Sequence, residues 1–352
     1  MKNTDAAATH TEQIKMRGFF GNLIDRCYVL MDNKYIKWGV YLALLAITIA
    51  LPLIMNNYWI GVIRTAMLYM LLAMGLNVIV GYTGLVHLGF AANFAVGAYT
   101  TGILVKTFGW SFWLTIPAAI VISIVAACLI GGPTLRLRSD YLAVVTLGFG
   151  EIIRIAARNL QITGAASGLS GIRRPYFFGI HLTSHTSRYY VFLVLVIIFI
   201  FLSNRIKSSR FGRALEYIRE DEDAAKAMGV NTTLYKLFAF IVGAVFGGVA
   251  GSFFVLDMGA ISPNSFQFLM SANILLAVVL GGMGKIPGVI LGGAFIAIFP
   301  ELLRSLSMAF PSGSVMAYAM DFVGSARMLF FGIILVLVMI KRPQGLWPER
   351  HR

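Results

Sequence analysis

Charge is what this chain has least of. Its 352 residues include 15 acidic and 29 basic ones, 12% of the total, about half the share of an ordinary soluble domain. Cysteine is nearly absent. Cys27 precedes the first apolar run and Cys128 lies inside a later one, so neither a disulfide framework nor a metal-binding spacing exists, and no metal or other cofactor is expected. Five histidines are scattered along the chain, which leaves no Ser-His-Asp or Cys-His arrangement to argue for. A phosphate-cradling loop is missing too. The nearest approach, "GGMGKIPG", has Ile286 where the loop requires Ser or Thr and no glycine at the upstream position. Catalysis and nucleotide hydrolysis by this chain are therefore not expected.

What is present in excess is apolar: 58% of residues, with 36 glycines and 16 methionines. This is a membrane-protein composition, because small residues let transmembrane helices approach closely. The net charge of +14 is spread between apolar runs and does not gather into one patch, which excludes a nucleic-acid surface and suits loops beside anionic membrane lipid.

A span needs roughly 20 apolar residues. By that measure the chain reads as an all-α polytopic membrane protein with about ten transmembrane helices. They fall near 39–55, 58–79, 85–105, 111–131, 141–158, 189–204, 235–256, 268–282, 287–304 and 319–340. The mixed-charge segment 1–37 places the first run too far along, and the run is too long, for a cleaved signal peptide, so it is expected to remain as a span. Lys15, Arg17, Arg26, Lys34 and Lys37, then Arg136 and Arg138, then Arg205, Lys207, Arg210 and Arg213, then Lys285 and the tail "KRPQGLWPERHR" all fall on one side if both termini are cytoplasmic. Arg173, Arg174 and Arg188 are the exceptions, in an outer connection. The organisation that follows is a cytoplasmic segment 1–37, a transmembrane domain 38–340 with its longest inner loop at 205–234, and a cytoplasmic tail 341–352.

Five of the fifteen acids lie within 216–223 of that inner loop. A solvated charge run explains them without any function. The stretch "EDEDAAKAMG" also has the marks of a short helix: acids at 220–223 suit a first turn, Gly229 suits the end, and Ala224 and Ala225 leave one face flat.

The spacing of Asp-Ala-Ala to Gly is similar to the "EAA…G" coupling loop of ABC-importer permeases. More specifically, "GLNVIVGYTGLVHLGFAANFAVGAY" (75–99), "LRLRSDYLAVVTLGFGEIIRI" (135–155), "VLGGMGKIPGVILGG" (279–293) and "KRPQGL" (341–346) resemble, in order, the branched-chain amino acid permease family of the LivM type. Asp223 stands where the general motif has Glu, and the outer loop after span five is short. The resemblance implies an ABC importer subunit in a bacterial cytoplasmic membrane, moving branched-chain amino acids inward. It would pair with a second homologous permease subunit, two cytoplasmic ATPase subunits and a periplasmic substrate-binding protein. Glu220, Asp221, Asp223, Ala224, Ala225 and Gly229 would form the ATPase-coupling loop. A urea or other amino acid permease of the same family is the nearest alternative, and a stand-alone secondary transporter with its own coupling-ion site a more distant one.

Several residues inside the runs remain to be placed. Gly243, Gly247 and Gly251, and likewise Gly284, Gly288 and Gly292, recur at four-residue spacing and read as helix-packing seams. "GYTG" at 81–84 reads as a tight turn, with Asn77 as a translocation-path residue one turn earlier. Glu151 and Arg154, three apart in span five, can pair on one helix face, either as a structural ion pair or along a pathway. His87, Glu301, Arg304, Asp321 and Arg327 raise the same question.

Overall fold

The computed structural model describes residues 46–135, 139–174, 176–177, 180–181, 183–309 and 332. The segment 1–37, the expected last span, Asp321, Arg327 and the tail lie outside them. The chain divides into Met1–Asn56 and Asn57–Arg352. In the first unit, residues 46–54 are helical.

The second unit is a bundle of helices: α1 (Asn57–Thr83), α2 (Phe90–Lys106), α3 (Phe112–Thr134), α4 (Ser139–Asn159), α5 (His185–Ser208), the short α6 (Arg210–Glu220) and α7 (Glu222–Ala227), α8 (Thr232–Met258), α9 (Phe268–Gly281) and α10 (Ile286–Ala309). Five of them are long and apolar enough to cross a membrane, namely α1, α3, α5, α8 and, over Ile286–Ser305, α10. α9 has 14 residues, about 21 Å at 1.5 Å per residue, short of a hydrocarbon core of about 30 Å. The expected ten spans thus become five candidate spans among the described residues, interleaved with shorter or less apolar helices in the places expected. Two small antiparallel ladders join the helices, which the all-α expectation did not include. β1 (Leu169–Ser170) pairs with β4 (Ala260–Ile261), and β2 (Tyr176–Phe177) with β3 (Ile180–His181).

Helix α8 is the centre. Asn231 caps its start through Oδ1, which accepts from Leu234 N at 3.2 Å, and Gly259, at φ +67°, closes its end. Between them its glycines lie against three neighbours. A Cβ on Gly243 would sit 2.6 Å from Ile79 Cδ1 of α1, one on Gly247 3.1 Å from Asn93 Cβ of α2, and one on Gly251 would meet the Phe94 carbonyl and the Ala98 amide of α2. On Gly248 it would meet Ser123 of α3. A side chain would strike backbone at Gly251 and crowd neighbouring side chains at the other three, so the helices approach closely and dispersion replaces the hydrophobic drive that lipid does not supply.

The second glycine series divides. Gly292 seats α10 on α9, since a Cβ there would meet the Ala277 carbonyl and, at 3.0 Å, the Gly281 amide, and a Cβ on Gly281 would in turn meet Gly288. Gly284 is different: it lies outside both helices at φ +83°, in the turn that reverses the chain between them. A shared four-residue spacing does not distinguish a helix seam from a helix terminus.

The "GYTG" segment also differs from the expected turn. α1 continues through Gly81, Tyr82 and Thr83 because Gly81 is closely packed and helical, and only Gly84, at φ +73°, leaves the helix. Gly251→Val is expected to overpack this centre by about 1–3 kcal/mol, whereas Gly132→Ala, with nothing within 4 Å of the added Cβ, is expected to be neutral. The yield of monodisperse protein on size exclusion and its thermal midpoint in detergent separate the two.

Candidate functional site

The acidic stretch forms two helices, not one. Glu220 is the last residue of α6. The backbone then extends at Asp221 (φ −154°, ψ 109°), whose carboxylate accepts from Asp223 N and Ala224 N, both at 2.9 Å, and so caps α7. Carboxylate caps satisfy otherwise unpaired helical amides and favour the positive end of the helix. Gly229 stands in the left-handed region at φ +84° with open space around it, and Val230 N returns to Ala225 O at 3.0 Å. Helix and terminator are where the spacing put them, shifted so that only Glu222 and Asp223 occupy the first turn.

The two alanines part company. Neighbours in a helix point about 100° apart, so they cannot share one face. Ala225 is buried in an internal cluster with Val78 and Tyr82 of α1, Leu215 and Ile218 of α6, and Ala239 of α8. Ala224 is exposed, with Ala227 and Met228 beyond it. Met228 is 84% exposed and Tyr217, on α6, 61%. The acids divide likewise. Glu222 turns inward: its carboxylate lies 2.5 Å from Lys236 Nζ and 3.2 Å from Lys226 Nζ, and Thr232 Oγ1 donates to it at 3.2 Å. Asp223 is open to solvent.

Basic side chains tie these helices to the bundle. Arg219 Nη1 donates to Gly81 O, and Lys207 Nζ to Gly284 O, each at 2.8 Å. Asn77, 1% exposed, takes its place in the same knot: its Oδ1 accepts from Gly284 N at 2.8 Å. α1, α5, α6 and the α9–α10 turn are thus joined at one end of the bundle.

Glu151 and Arg154 do pair, with Arg154 Nε donating to Glu151 Oε2 at 2.7 Å, on the half-exposed side of α4. His87 is buried, stacked on Phe240 with centroids 5.1 Å apart. On α10, Arg304 lies 3.4 Å from Glu301, to which Tyr58 Oη also donates.

At the opposite end of α1 lies a charge cluster that the sequence did not reveal. Arg64 of α1 and Arg188 of α5 both donate to Asp257 Oδ1 near the end of α8, Arg188 at 2.7 Å. Arg188 Nη1 also reaches the Asp257 carbonyl at 2.7 Å, and Arg64 Nη2 lies 3.2 Å from His185 Nδ1. All three charged residues are buried. The expected start of that span at 189 left Arg188 in an outer loop; the helix begins at His185, which moves it inside. The signal available was Arg64, an isolated cation within an apolar run, which requires a partner.

A bundle of apolar helices carrying interrupted polar positions, with a capped helical hairpin at one end, defines a polytopic membrane transport subunit. Residues 58–339 match the family model of the branched-chain amino acid transport system permease component, and the chain belongs to that family. It is 38% identical over 343 residues to the high-affinity branched-chain amino acid transport system permease protein LivM of Salmonella typhimurium, covering 90% of this chain and 77% of that protein. LivM of Escherichia coli K12 is likewise 38% identical, over 344 residues, with the same coverage. LivH of E. coli K12 is 24% identical over 296 residues, 79% of this chain and 90% of LivH. No solved structure matches.

Burial acts to raise the Glu222 carboxyl, but its bonds to Lys236 and Lys226 outweigh that and hold it below its ordinary value of 4.5. A lowered folded value means that the stabilisation is complete above about pH 4.5 and is lost as pH falls through the folded value. Glu222→Gln is expected to cost about 1–3 kcal/mol by stranding the buried Lys236, and to remove that acid dependence. Asn77→Ala, which leaves Gly284 N unpaired, is expected to cost a similar amount, about 1–3 kcal/mol. Thermal midpoints between pH 3.5 and 7 check both.

Proposed function

We propose that this chain is the transmembrane permease subunit of an ABC importer that moves branched-chain amino acids into the cytoplasm, with ATP hydrolysed by separate subunits. The observation that carries this is the α6–α7 hairpin. One side of it is bonded into α1 through Arg219 and into α8 through Glu222; the other presents Tyr217, Ala224, Ala227 and Met228, all exposed among the described residues. Such a surface suits docking on a cytoplasmic ATPase: an apolar tip with a flexible methionine, mounted on a hairpin bonded to α1 and α8.

In this reading the chain lies in the bacterial cytoplasmic membrane, with both termini and residues 205–234 on the inner side. Similarity to both LivM and LivH, two differently named permease proteins of E. coli K12, supports pairing with a second, related permease. Two ATPase subunits and a periplasmic binding protein complete the importer. Glu220, Asp221, Asp223, Ala224 and Gly229 belong to the coupling hairpin. Ala225 contributes from within, as the residue that seats α7 on α1.

Met228→Glu places a charge on a residue that is 84% exposed among the described residues, so permease abundance is expected to persist while ATPase co-purification and leucine uptake fall by about tenfold or more. Gly229→Asp adds backbone strain and a negative charge at the negative end of α7 and is expected to act in the same direction. Normal retention of the ATPase and normal uptake in both variants would show that the hairpin is a solvated loop only. The topology is checked with Cys27 and Cys128 replaced by Ser. An impermeant thiol reagent on intact cells is expected to label Ser167→Cys and not Asp223→Cys, and the reverse pattern inverts the orientation.

A further inference from the structure

A cavity of about 190 Å³ lies among α1, α2, α5, α8 and α9. It is smaller than the roughly 300–1,000 Å³ pockets that take drug-sized ligands, so its occupant is correspondingly small. Its lining divides by chemistry. Leu68, Phe94, Phe192, Phe254, Met258 and Met270 form an apolar wall, Arg64 and Asp257 a charged end, and Thr65 and Ser265 supply hydroxyls between them.

At the charged end two guanidinium groups, of Arg64 and Arg188, meet a single carboxylate oxygen of Asp257. Arg64 is 4% exposed; its Nη1 donates to Asp257 and its Nη2 faces His185, while its Nε has no hydrogen-bond partner among the described residues. A buried donor on a cation is rarely left unpaired, and a ligand carboxylate reaching Arg64 would satisfy it.

We propose that this cavity is a transient binding station for a free aliphatic amino acid in its zwitterionic form. The carboxylate lies against Arg64, the ammonium faces the Asp257 side of the cluster, and the side chain rests on the phenylalanine and methionine wall. Both ligand charges are met, because the cluster presents cation and anion together. The wall selects the side chain: a polar one would be buried there without partners, which disfavours it more strongly than a missing methylene would. The station rests on the permease reading for its physiological setting, but binding to the chain alone can be measured without transport.

The test uses the full-length permease in lipid nanodiscs and L-leucine, observed by saturation-transfer difference NMR, which detects millimolar binding. A saturable leucine signal is expected. Leucinamide, which lacks the carboxylate, and 4-methylpentanoate, which lacks the ammonium, are each expected to compete about tenfold or more less well. Arg64→Gln leaves the Arg188–Asp257 pair neutral and intact, and Ser265→Trp adds bulk at an exposed position on the cavity lining; each is expected to weaken leucine binding by about tenfold or more. Thermal midpoints confirm folding. Absence of a leucine signal from the unsubstituted chain, or a signal that survives both substitutions, overturns the station. Leucine uptake by cells carrying the complete importer is measured in parallel. Uptake without binding to the permease rejects the station and leaves the transport function standing, whereas failure of uptake dependent on this chain rejects the transport function itself.

Discussion

The bundle depends on a line of missing side chains. At Gly243, Gly248 and Gly251, α8 meets α1, α3 and α2 within 3 Å of where a methyl group would sit, and at Gly247 it meets α2 at 3.1 Å. Because lipid is as apolar as leucine, helices in a membrane gain little from hiding apolar surface and must gain from close contact. Glycine supplies that contact at the cost of helix propensity, which a long buried helix can bear. The position of α8 then sets two further relations. Its first turn brings Thr232 and Lys236 to Glu222, and its last brings Asp257 to two arginines.

Helix α1 runs between those two places. Val78 and Tyr82 pack on the α6–α7 hairpin, while Arg64 joins the charge cluster at the other end. Eighteen residues separate Arg64 from Tyr82, about 27 Å of helix, close to the thickness of a bilayer core. One rigid element therefore touches both the hairpin and the cavity. A movement of the hairpin need not pass through loops to reach the charged end. Two helices connect the hairpin to Asp257: α1 through Arg64, and α8, which carries Asp257 itself.

Long apolar runs made the helices legible in the sequence, and the acids at 220–223 and Gly229 marked the short α7 through chemistry that is local by nature, whereas the caps at Asp221 and Asn231 emerged only from the structure. What depends on distant pairing was not legible. Arg64 and Asp257 are 193 residues apart and Arg188 and Asp257 are 69 apart, and no periodicity links them. Arg188 was misplaced by four residues at a helix boundary, enough to turn a buried ion-pair partner into a loop arginine. Ala225 and Gly284 failed for a related reason: the motif identified which residue types recur, but the direction of each side chain follows from helix phase and from where the helix stops.

Every residue from Leu71 to Thr83 of α1 is buried, a run long enough to include all faces of the helix for more than three turns. Amides in such a segment have neither solvent nor a loosely packed face through which to open, so their exchange with deuterated water requires the bundle to come apart. The α6–α7 hairpin, short and half-exposed, is expected to exchange faster, through local opening. A slowly and a more rapidly exchanging segment thus meet at Val78 and Tyr82, and the contrast in exchange rate across that contact distinguishes a permease that is intact from one that has only kept its helices.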